Sequence, residues 1–125
     1  MEETLRNNIK IVEHYGYEKQ IPVWIEEMSE LTKELCKWSR KGNLHPELID
    51  NIKEEIADVT ICLDQLKYIL HYIEDDLMAE YKYKVDRQLN RIANENIDMI
   101  RQENLTKTEM KVELKGNDWL SNGDK

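Results

Sequence analysis

Apolar residues recur along most of this chain at spacings of three and four, which is the period of an amphipathic α-helix. Only four glycines and two prolines interrupt the pattern. The first helix is predicted over residues 2–15, with Leu5, Ile9 and Val12 facing the core. Gly16 is expected to end this helix, because glycine readily takes the backbone conformation that terminates helices.

Two further helices form the most regular part of the pattern. One is predicted over residues 22–40 and stops at Gly42, and the next begins at Pro46, a residue suited to a first helical turn. Their apolar stripes, which we expect to face the core, are Trp24, Met28, Leu31, Leu35 and Trp38 on the first and Ile52, Ile56, Val59, Leu63, Leu66, Leu70 and Ile73 on the second. The short link between the two helices favours antiparallel packing.

A fourth helix is predicted from the acidic residues 74–76 onward, since acids favour a first helical turn. Its apolar positions are Leu77, Tyr81, Val85, Leu89 and Ile92. We expect this helix to fray after about Ile100, and residues 104–125 to form a polar tail or partner-contacting arm. The predicted fold is an all-α antiparallel bundle of about four helices in residues 1–103, followed by that tail.

Length and charge limit the class of protein. The 125 residues suffice for one domain, and a formal net charge of −8 argues against duplex nucleic acid as a partner. The opening segment carries too many charges for a signal peptide, and no apolar run reaches membrane-spanning length, so we expect a cytoplasmic protein without a membrane partner. Cys36 and Cys62 lie among leucines and isoleucines and are expected to be reduced and buried.

The apolar surface exceeds what one thin bundle can cover. The third helix is striped along its whole length, and Ile25, Thr32 and Cys36 flank the stripe of the second helix. We therefore expect the helices to be completed by oligomerisation, as a homodimer or homotetramer.

Two pairs of acids border the stripes of the second and third helices. Glu27 and Glu30 stand one turn apart, as do Glu55 and Asp58. The same spacing also occurs at Glu47/Asp50 and Glu95/Asp98, so spacing alone is weak evidence for a metal site. The first two pairs differ in phase: each acid precedes a core position by one residue, which places both pairs on facing edges of an antiparallel helix pair.

Four carboxylates that converge at a half-buried place repel one another, and a bound cation resolves this repulsion. Oxygen ligands without histidine or cysteine suit Mg²⁺, with Mn²⁺ as a substitute, better than zinc. Di-iron bundles place histidine at the end of a Glu-x-x-His motif, and neither pair here does so. The alternative is that both pairs are solvated flanks of ordinary helices.

Glu34 lies on the same edge as the first acidic pair, one residue before Leu35, and is a candidate for a further ligand or a general base. Glu26 points away from that edge and is expected to be solvated. His14, His45 and His71 fall outside the pattern and have no predicted role.

A basic stripe stands out on the fourth helix of this acidic chain. Lys84, Arg87 and Arg91 recur at three and four residues, as helix neighbours do. Phosphate recognition is one use for them. Ion pairing with acids such as Glu80 and Asp86, or with another subunit, is the other.

The order of these motifs resembles a known family. Glu27-x-x-Glu30 followed by Glu55-x-x-Asp58, within the stretches IEEMSEL and EEIADVTICLDQL, is similar to the signature of the MazG-like all-α nucleotide pyrophosphohydrolases. YKVDRQLNRI on the fourth helix resembles the small phage and prophage members. The similarity covers residues 15–92.

The resemblance implies a Mg²⁺-dependent hydrolase that converts a nucleoside triphosphate, or its deoxy form, to the monophosphate and pyrophosphate. It implies metal ligation by Glu27, Glu30, Glu55 and Asp58, with Glu30 or Glu34 as the base that activates water. By the same resemblance, the phosphates would meet Lys84, Arg87 and Arg91, and the nucleoside would lie near Gln20 and Trp24. A tryptophan at core spacing is, however, more often a packing residue.

A different class of protein keeps the same bundle without catalysis, as a helical oligomerisation or regulatory module. Cation dependence separates the two hypotheses. A scaffold releases no pyrophosphate and gains no melting temperature on addition of Mg²⁺.

Overall fold

A computed structural model describes residues 2–71 and 74–123, with side chains defined as far as residue 114 except at 72–75. The predicted Ile73 position of the third stripe lies outside the described residues. Within the described part the protein is all-α, as predicted, and consists of α1 (Glu2–Tyr15), α2 (Tyr17–Lys41), α3 (Pro46–Ile69) and α4 (Glu74–Gly123). None of these helices carries an apolar stretch long enough to cross a bilayer.

A single glycine separates α1 from α2. Gly16 has a φ of 82° and its N–H donates to the carbonyl of Val12, which confirms the predicted end of the first helix. The prediction that α2 starts at Pro22 is wrong, because the helix begins at Tyr17 and contains Pro22. Proline removes only one N–H from the backbone hydrogen bonds of a helix, so it does not prevent the helix from starting earlier. The turn before Pro22 is stabilised because it buries Gln20, which hydrogen-bonds to Gln65 on α3.

The link between α2 and α3 is capped at both ends. Gly42, with a φ of 74°, donates its N–H to the carbonyl of Trp38 and ends α2 as predicted. At the start of α3, His45 Nδ1 accepts a hydrogen bond from the N–H of Leu48 over 3.2 Å, and Pro46 follows it. His45 is therefore a helix cap, a role that the sequence analysis did not assign.

The first three helices pack into a small bundle. The hairpin of α2 and α3 is antiparallel, because Trp24 near the start of α2 contacts Gln65 near the end of α3. α1 runs parallel to α3, since Asn8 bonds to Ile61 and, further along both helices, Glu13 accepts from Tyr68. The small core of this bundle consists of Val12, Trp24 and Cys62, with Leu66 and Ile69 packed against it.

A buried network of amides links all three helices. Gln65 Oε1 on α3 accepts from Gln20 Nε2 at 3.0 Å and from Trp24 Nε1 at 2.8 Å, both on α2. Gln65 Nε2 donates to Asn8 Oδ1 on α1, and Asn8 Nδ2 donates to the carbonyl of Ile61. Buried polar groups are costly unless they are satisfied, so the network holds the helices in one mutual arrangement.

The predicted core stripe of α2 is correct only in part. Trp24 is buried, but Met28 is 38% exposed and Leu35 43% exposed, whereas Glu34 is only 7% exposed. The face of α2 that meets α3 thus includes Trp24 and Glu34 but excludes Met28 and Leu35. A spacing pattern shows which residues share a face, and the Trp24–Gln65 contact decides which face turns inward.

α4 forms a separate unit of the structure, residues 76–125, and is described by itself. The expectation that it frays after Ile100 is wrong for the backbone, which stays helical to Gly123. The polar tail or partner-contacting arm over residues 104–125 stays a prediction. Residues 104–113 contain good helix formers and neither glycine nor proline. Loss of apolar periodicity removes a packing face, but it does not break a helix.

Candidate metal centre

Three carboxylates from two helices converge in the middle of the α2–α3 hairpin. Glu27 of α2 and Glu55 and Asp58 of α3 each offer one oxygen, and these oxygens lie within 4.8 Å of one another. All three residues are half-buried. The predicted convergence of the two acidic motifs is therefore present for three of the four acids.

The placement follows from the geometry of the hairpin. Steps of three, four and three residues lead from Trp24 along α2 to Glu27, Leu31 and Glu34. The same steps lead back from Gln65 along α3 to Cys62, Asp58 and Glu55. Because helix residues three and four apart share a face, the contact between Trp24 and Gln65 brings these acids to the seam.

Burial and mutual repulsion act on the acids of the centre. The pKa of Glu27 is raised by burial and then by the charges of Asp58 and Glu55. The pKa of Glu55 is raised in the same way, by burial first and by Asp58 next. Glu30 adds to the repulsion at both residues. These are the conditions under which a bound cation stabilises the ionised forms.

Among the described residues, Glu30 is not part of the group formed by Glu27, Glu55 and Asp58. It is half-buried, and it is close enough to Glu27 and Glu55 to raise the pKa of both. The prediction of four ligands is thus matched by three assembled carboxylates, with Glu30 beside them. Glu26 is exposed, as predicted, although its charge also contributes to the raised pKa of Glu27.

Glu34 is the most deeply buried acid of this seam. Its side chain is 9% exposed, and its Oε1 accepts a hydrogen bond from Lys37 Nζ at 2.9 Å. Glu34 Oε2 and Glu55 Oε2 are both buried and find no hydrogen-bond partner among the described residues. Buried carboxylate oxygens without a donor are costly, so these two atoms mark a place suited to a cation.

The donor set fits a hard divalent cation. Carboxylate oxygens from two rigid helices can hold Mg²⁺ or Mn²⁺, with water or phosphate oxygens in the remaining positions. A thiolate contribution is disfavoured, because burial and the charges of Glu27 and Asp58 raise the pKa of the neighbouring Cys62 thiol. The sequence predicts Cys62 in the core, but no sequence pattern indicates its closeness to the acids.

Cys36 departs from its prediction. It is exposed, whereas Cys62 is buried, and both thiols are free. Cys36 shares the outer face of α2 with Ser29 and Lys33, each of which is also exposed. The apolar neighbours that suggested burial precede and follow it in sequence but lie on other faces of the helix.

The basic residues Lys84, Arg87 and Arg91 are exposed on α4. The contacts that the structure describes for them are with other side chains of the same helix. Lys84 pairs with Glu80 at 3.9 Å. The guanidinium of Arg87 lies 5.7 Å from the ring centre of Tyr83, and Arg91 donates to Gln88 at 3.5 Å. Such exposed contacts are weak and leave all three cations accessible to an anion.

The two residues predicted near the nucleoside are buried. Gln20 and Trp24 both donate to Gln65, so these two donor groups are occupied. Trp24 also lines an apolar groove of about 550 Å³, whose other walls are Tyr17, Ile21, Ile25, Met28, Leu66, Ile69 and Leu70. Met28 in the wall of the groove is the next residue along the chain after Glu27.

The chain matches no protein-family model, no curated protein and no solved structure. The assignment of chemistry therefore depends on the geometry of the carboxylates and on the order of the acidic motifs along the chain.

Proposed function

We propose that this protein is a Mg²⁺-dependent nucleoside triphosphate pyrophosphohydrolase that produces the nucleoside monophosphate and pyrophosphate. The observation that carries the proposal is the convergence of Glu27, Glu55 and Asp58 from two helices at a half-buried place. When ionised, three half-buried carboxylates whose oxygens lie within 4.8 Å of one another repel, and a divalent cation would relieve this repulsion. The resemblance of the acidic motifs to MazG-like enzymes supports the same chemistry.

In this proposal Glu27, Glu55 and Asp58 would hold the cation. When the triphosphate is bound, one oxygen of Glu30 would complete the set and its other oxygen would stay free to accept a proton. A Mg²⁺ ion held there would supply positive charge to the phosphates during attack at the α-phosphorus. The helices contribute pre-organisation, because their backbones hold the carboxylates together before any ligand arrives. Mn²⁺, with the same preference for oxygen, is expected to substitute.

Glu30 is the better candidate for the base that takes a proton from the attacking water. It lies beside the three ligands and is half-buried, so that solvent reaches it. Glu34, the other predicted candidate, is more deeply buried and its Oε1 already accepts from Lys37. A base must reach the proton that it removes, and this requirement favours Glu30.

We assign the phosphate contacts to Lys84, Arg87 and Arg91, as the sequence predicts. Their exposure on α4 leaves them available to phosphate oxygens. The nucleoside or deoxynucleoside would meet the apolar groove at Trp24. Gln20 would hold the tryptophan in place through Gln65, to which both residues donate.

We further propose that a second copy covers the outward apolar face of α2 and α3, giving a homodimer or homotetramer. Four large apolar residues that helical spacing places on one side are exposed on these helices: Met28, Leu35, Ile56 and Leu63. An apolar face of this extent marks an interaction surface in a protein whose described core is small.

The experiment that tests the function is a panel of ribonucleoside and deoxynucleoside triphosphates, incubated with the protein and Mg²⁺ or EDTA. Pyrophosphate and the nucleoside monophosphate should form in equal amounts with Mg²⁺ and should not form with EDTA. Release of inorganic phosphate alone would place the attack at another phosphorus. Such an outcome would refute the proposed reaction. The cytoplasm, which holds triphosphates and Mg²⁺, is the location that this function requires.

The exposed apolar face also favours a second candidate, a helical oligomerisation or regulatory module without catalysis. The two proposals differ in their response to cations. A module of this kind forms the oligomer in EDTA, releases no pyrophosphate and melts at the same temperature with and without Mg²⁺.

A further inference from the structure

A regular stripe of residues, apolar except at one position, lies exposed on the first half of α4. Its members are spaced four, three, four and three residues apart, so that they share one side of the helix. We call them the α4 stripe: Val85, Leu89, Ile92, Asn96 and Met99. Asn96 is exposed, and the apolar members are between 43% and 61% exposed. A helix owes most of its stability to the packing of such a stripe, so a second helix is expected to cover it.

The spacing is that of the inner positions of a coiled coil, in which helices pair through residues three and four apart along the chain. The basic residues of α4 lie elsewhere on the helix. Lys84, Arg87 and Arg91 fall at the outer positions of the same repeat. Pairing through the α4 stripe therefore leaves all three available to an anion.

Asn96 indicates which helix fits the α4 stripe. An amide enclosed between apolar side chains is costly unless another polar group bonds to it. In a parallel pair of identical helices in register, equal positions face each other, so the two Asn96 amides can hydrogen-bond to each other. In an antiparallel pair, Asn96 would face an apolar residue such as Ile92. The polar position thus favours α4 of a second copy, parallel and in register.

The residues beside the α4 stripe are compatible with this pairing. Across a parallel pair, each of these residues flanks a residue five positions further along the other copy. None of the flanking pairs along the stripe joins like charges, since they are Gln88 with Ala93 and Glu95 with Ile100. Electrostatic repulsion therefore does not oppose the contact along the stripe.

Like charges limit the pair at both ends. Lys82 and Glu103 occupy the next inner positions, where equal charges of the two copies would repel. The pair is thus confined to residues 83–102, which is about three heptads and the lower limit for a sustained coiled coil. The contact is therefore weak by itself, and a covalent trap is the suitable way to detect it.

We propose that α4 binds α4 of a second copy through the α4 stripe, parallel and in register, with the two Asn96 side chains hydrogen-bonded to each other. This contact is distinct from the apolar face of α2 and α3. It requires neither the cation nor the triphosphate of the proposed function. The pair exposes the basic residues of both copies on its outer sides.

The test traps the pair in the full-length chain. Ile92→Cys and Met99→Cys are each introduced together with Cys36→Ser, because the exposed Cys36 would form disulfides of its own, whereas Cys62 is buried. With glutathione disulfide as the oxidant, each variant should form the interchain disulfide at least about tenfold faster than Asn94→Cys, since pairing raises the effective concentration of the inner thiols. Asn94 is the matched control, exposed at an outer position of the same helix. Equal rates in the three variants would overturn the proposal.

The positions that become linked report the orientation. Mass spectrometry of the oxidised protein should show residue 92 linked to residue 92, and residue 99 linked to residue 99. A mixture of Leu89→Cys chains with Met99→Cys chains tests the antiparallel alternative, since these two positions face each other when Asn96 meets Ile92. If the link between the two kinds of chain formed faster than the links within each kind, the parallel pair would be refuted.

Asn96→Asp tests the polar position. Two carboxylates would repel at neutral pH, so this substitution, added to Ile92→Cys, should slow disulfide formation toward the rate of Asn94→Cys. Asn94→Asp, added to Ile92→Cys, is the control and should leave the rate unchanged. An undiminished rate in Asn96→Asp would mean that Asn96 lies outside the contact, and the proposal would fail.

Rates measured without Mg²⁺ and triphosphate keep this inference separate from the proposed function. Fast linkage in a protein that releases no pyrophosphate would refute the function and keep the pair. Pyrophosphate release by a protein whose inner and outer thiols link equally slowly would refute the pair alone. An α4 stripe that is covered by another segment of the chain would give this second result.

Discussion

The indole Nε1 of Trp24 donates a hydrogen bond to Gln65 Oε1 over 2.8 Å, and this contact sets the alignment of α2 on α3. Both residues are buried. From this pair outward, the three-and-four spacing of each helix carries Glu27, Glu55 and Asp58 to the seam. A core hydrogen bond thereby determines where the three carboxylates meet.

Replacement of Gln65 should destabilise the bundle. Gln65→Leu keeps a similar volume but removes the acceptor of Gln20 and Trp24 and the donor to Asn8. Each of the three buried polar groups left without a partner costs about 1–3 kcal/mol, so the free energy of unfolding should fall by about 3 kcal/mol or more in urea titrations. Gln88→Leu on α4, an exposed glutamine, should change it by less than about 0.5 kcal/mol. Equal effects of the two substitutions would contradict the structural role of the network.

Glu55→Gln should abolish pyrophosphate release and leave the metal-free protein at least as stable as the parent. The substitution removes a ligand and, at the same time, one of the charges that repel Glu27 and Asp58. The parent should gain melting temperature on addition of millimolar Mg²⁺ by mass action, and the variant should gain much less. Thermal melts with EDTA and with Mg²⁺, beside turnover, measure this. An active Glu55→Gln with a normal Mg²⁺ response would show that the carboxylates are not one site.

The stability of the metal-free protein should depend on pH in a defined direction. The folded state raises the pKa of Glu27 and Glu55, chiefly by burial and then by neighbouring carboxylates, so it binds protons that the unfolded chain has released. This contribution is fully present below the ordinary glutamate pKa and is lost as the pH rises through the raised values. In EDTA, the stability of Glu55→Gln relative to the parent should therefore increase from about pH 4 to about pH 7. If the stability of Glu55→Gln relative to the parent stayed constant or decreased over this pH range, the proposed repulsion between the carboxylates would be contradicted.

Loss of a basic residue on α4 should weaken triphosphate binding and spare metal binding. Hydrogen bonds to charged groups contribute about 1.5–3 kcal/mol, so Lys84→Ala or Arg87→Ala should raise KM about ten- to a hundredfold. Titration with Mn²⁺ alone should give the parent's affinity. Lys82→Ala is the matched control on the same helix, because Lys82 pairs with Asp86 and is not one of the three assigned cations. Equal losses for Mn²⁺ and triphosphate would indicate misfolding instead.

The exposed apolar face of α2 predicts an oligomer at micromolar concentration. Met28→Glu places a charge on this face and should shift the mass from multi-angle light scattering toward one chain. Ser29→Glu is the control, because it adds the same charge to the exposed face of α2 that carries Cys36. This variant should keep the parent's mass. A parent protein that is monomeric and fully active would contradict the oligomer.

Much of the local structure was predictable from the sequence. Gly16 and Gly42 were recognised as helix ends because a left-handed backbone favours glycine, and both residues have positive φ. The start of α2 and the end of α4 were missed, because neither a lone proline nor a loss of apolar periodicity decides whether a backbone stays helical. The start of α2 is decided by the packing of Gln20 against α3. The end of α4 is decided by helix propensity.

The candidate site was predictable in part. That Glu27, Glu55 and Asp58 share one edge of an antiparallel pair follows from their spacing and from the short link between the helices. The position of Glu34 on the same edge as the acidic pair was predictable, but its deep burial and its pairing with Lys37 were not, since glutamate is seldom fully buried.

The sequence by itself determined the all-α class, the ends of the helices at Gly16 and Gly42, and the grouping of the acids on helix faces, because these properties depend on residue type and on the helical period alone. Only the tertiary structure decided which face of α2 turns toward α3. Helical spacing is the same for an inward and an outward stripe, and the buried bonds of Gln65 to Asn8, Gln20 and Trp24 select the orientation that buries Glu34 and exposes Met28. That choice rests on contacts between residues more than 40 positions apart, which no local pattern contains.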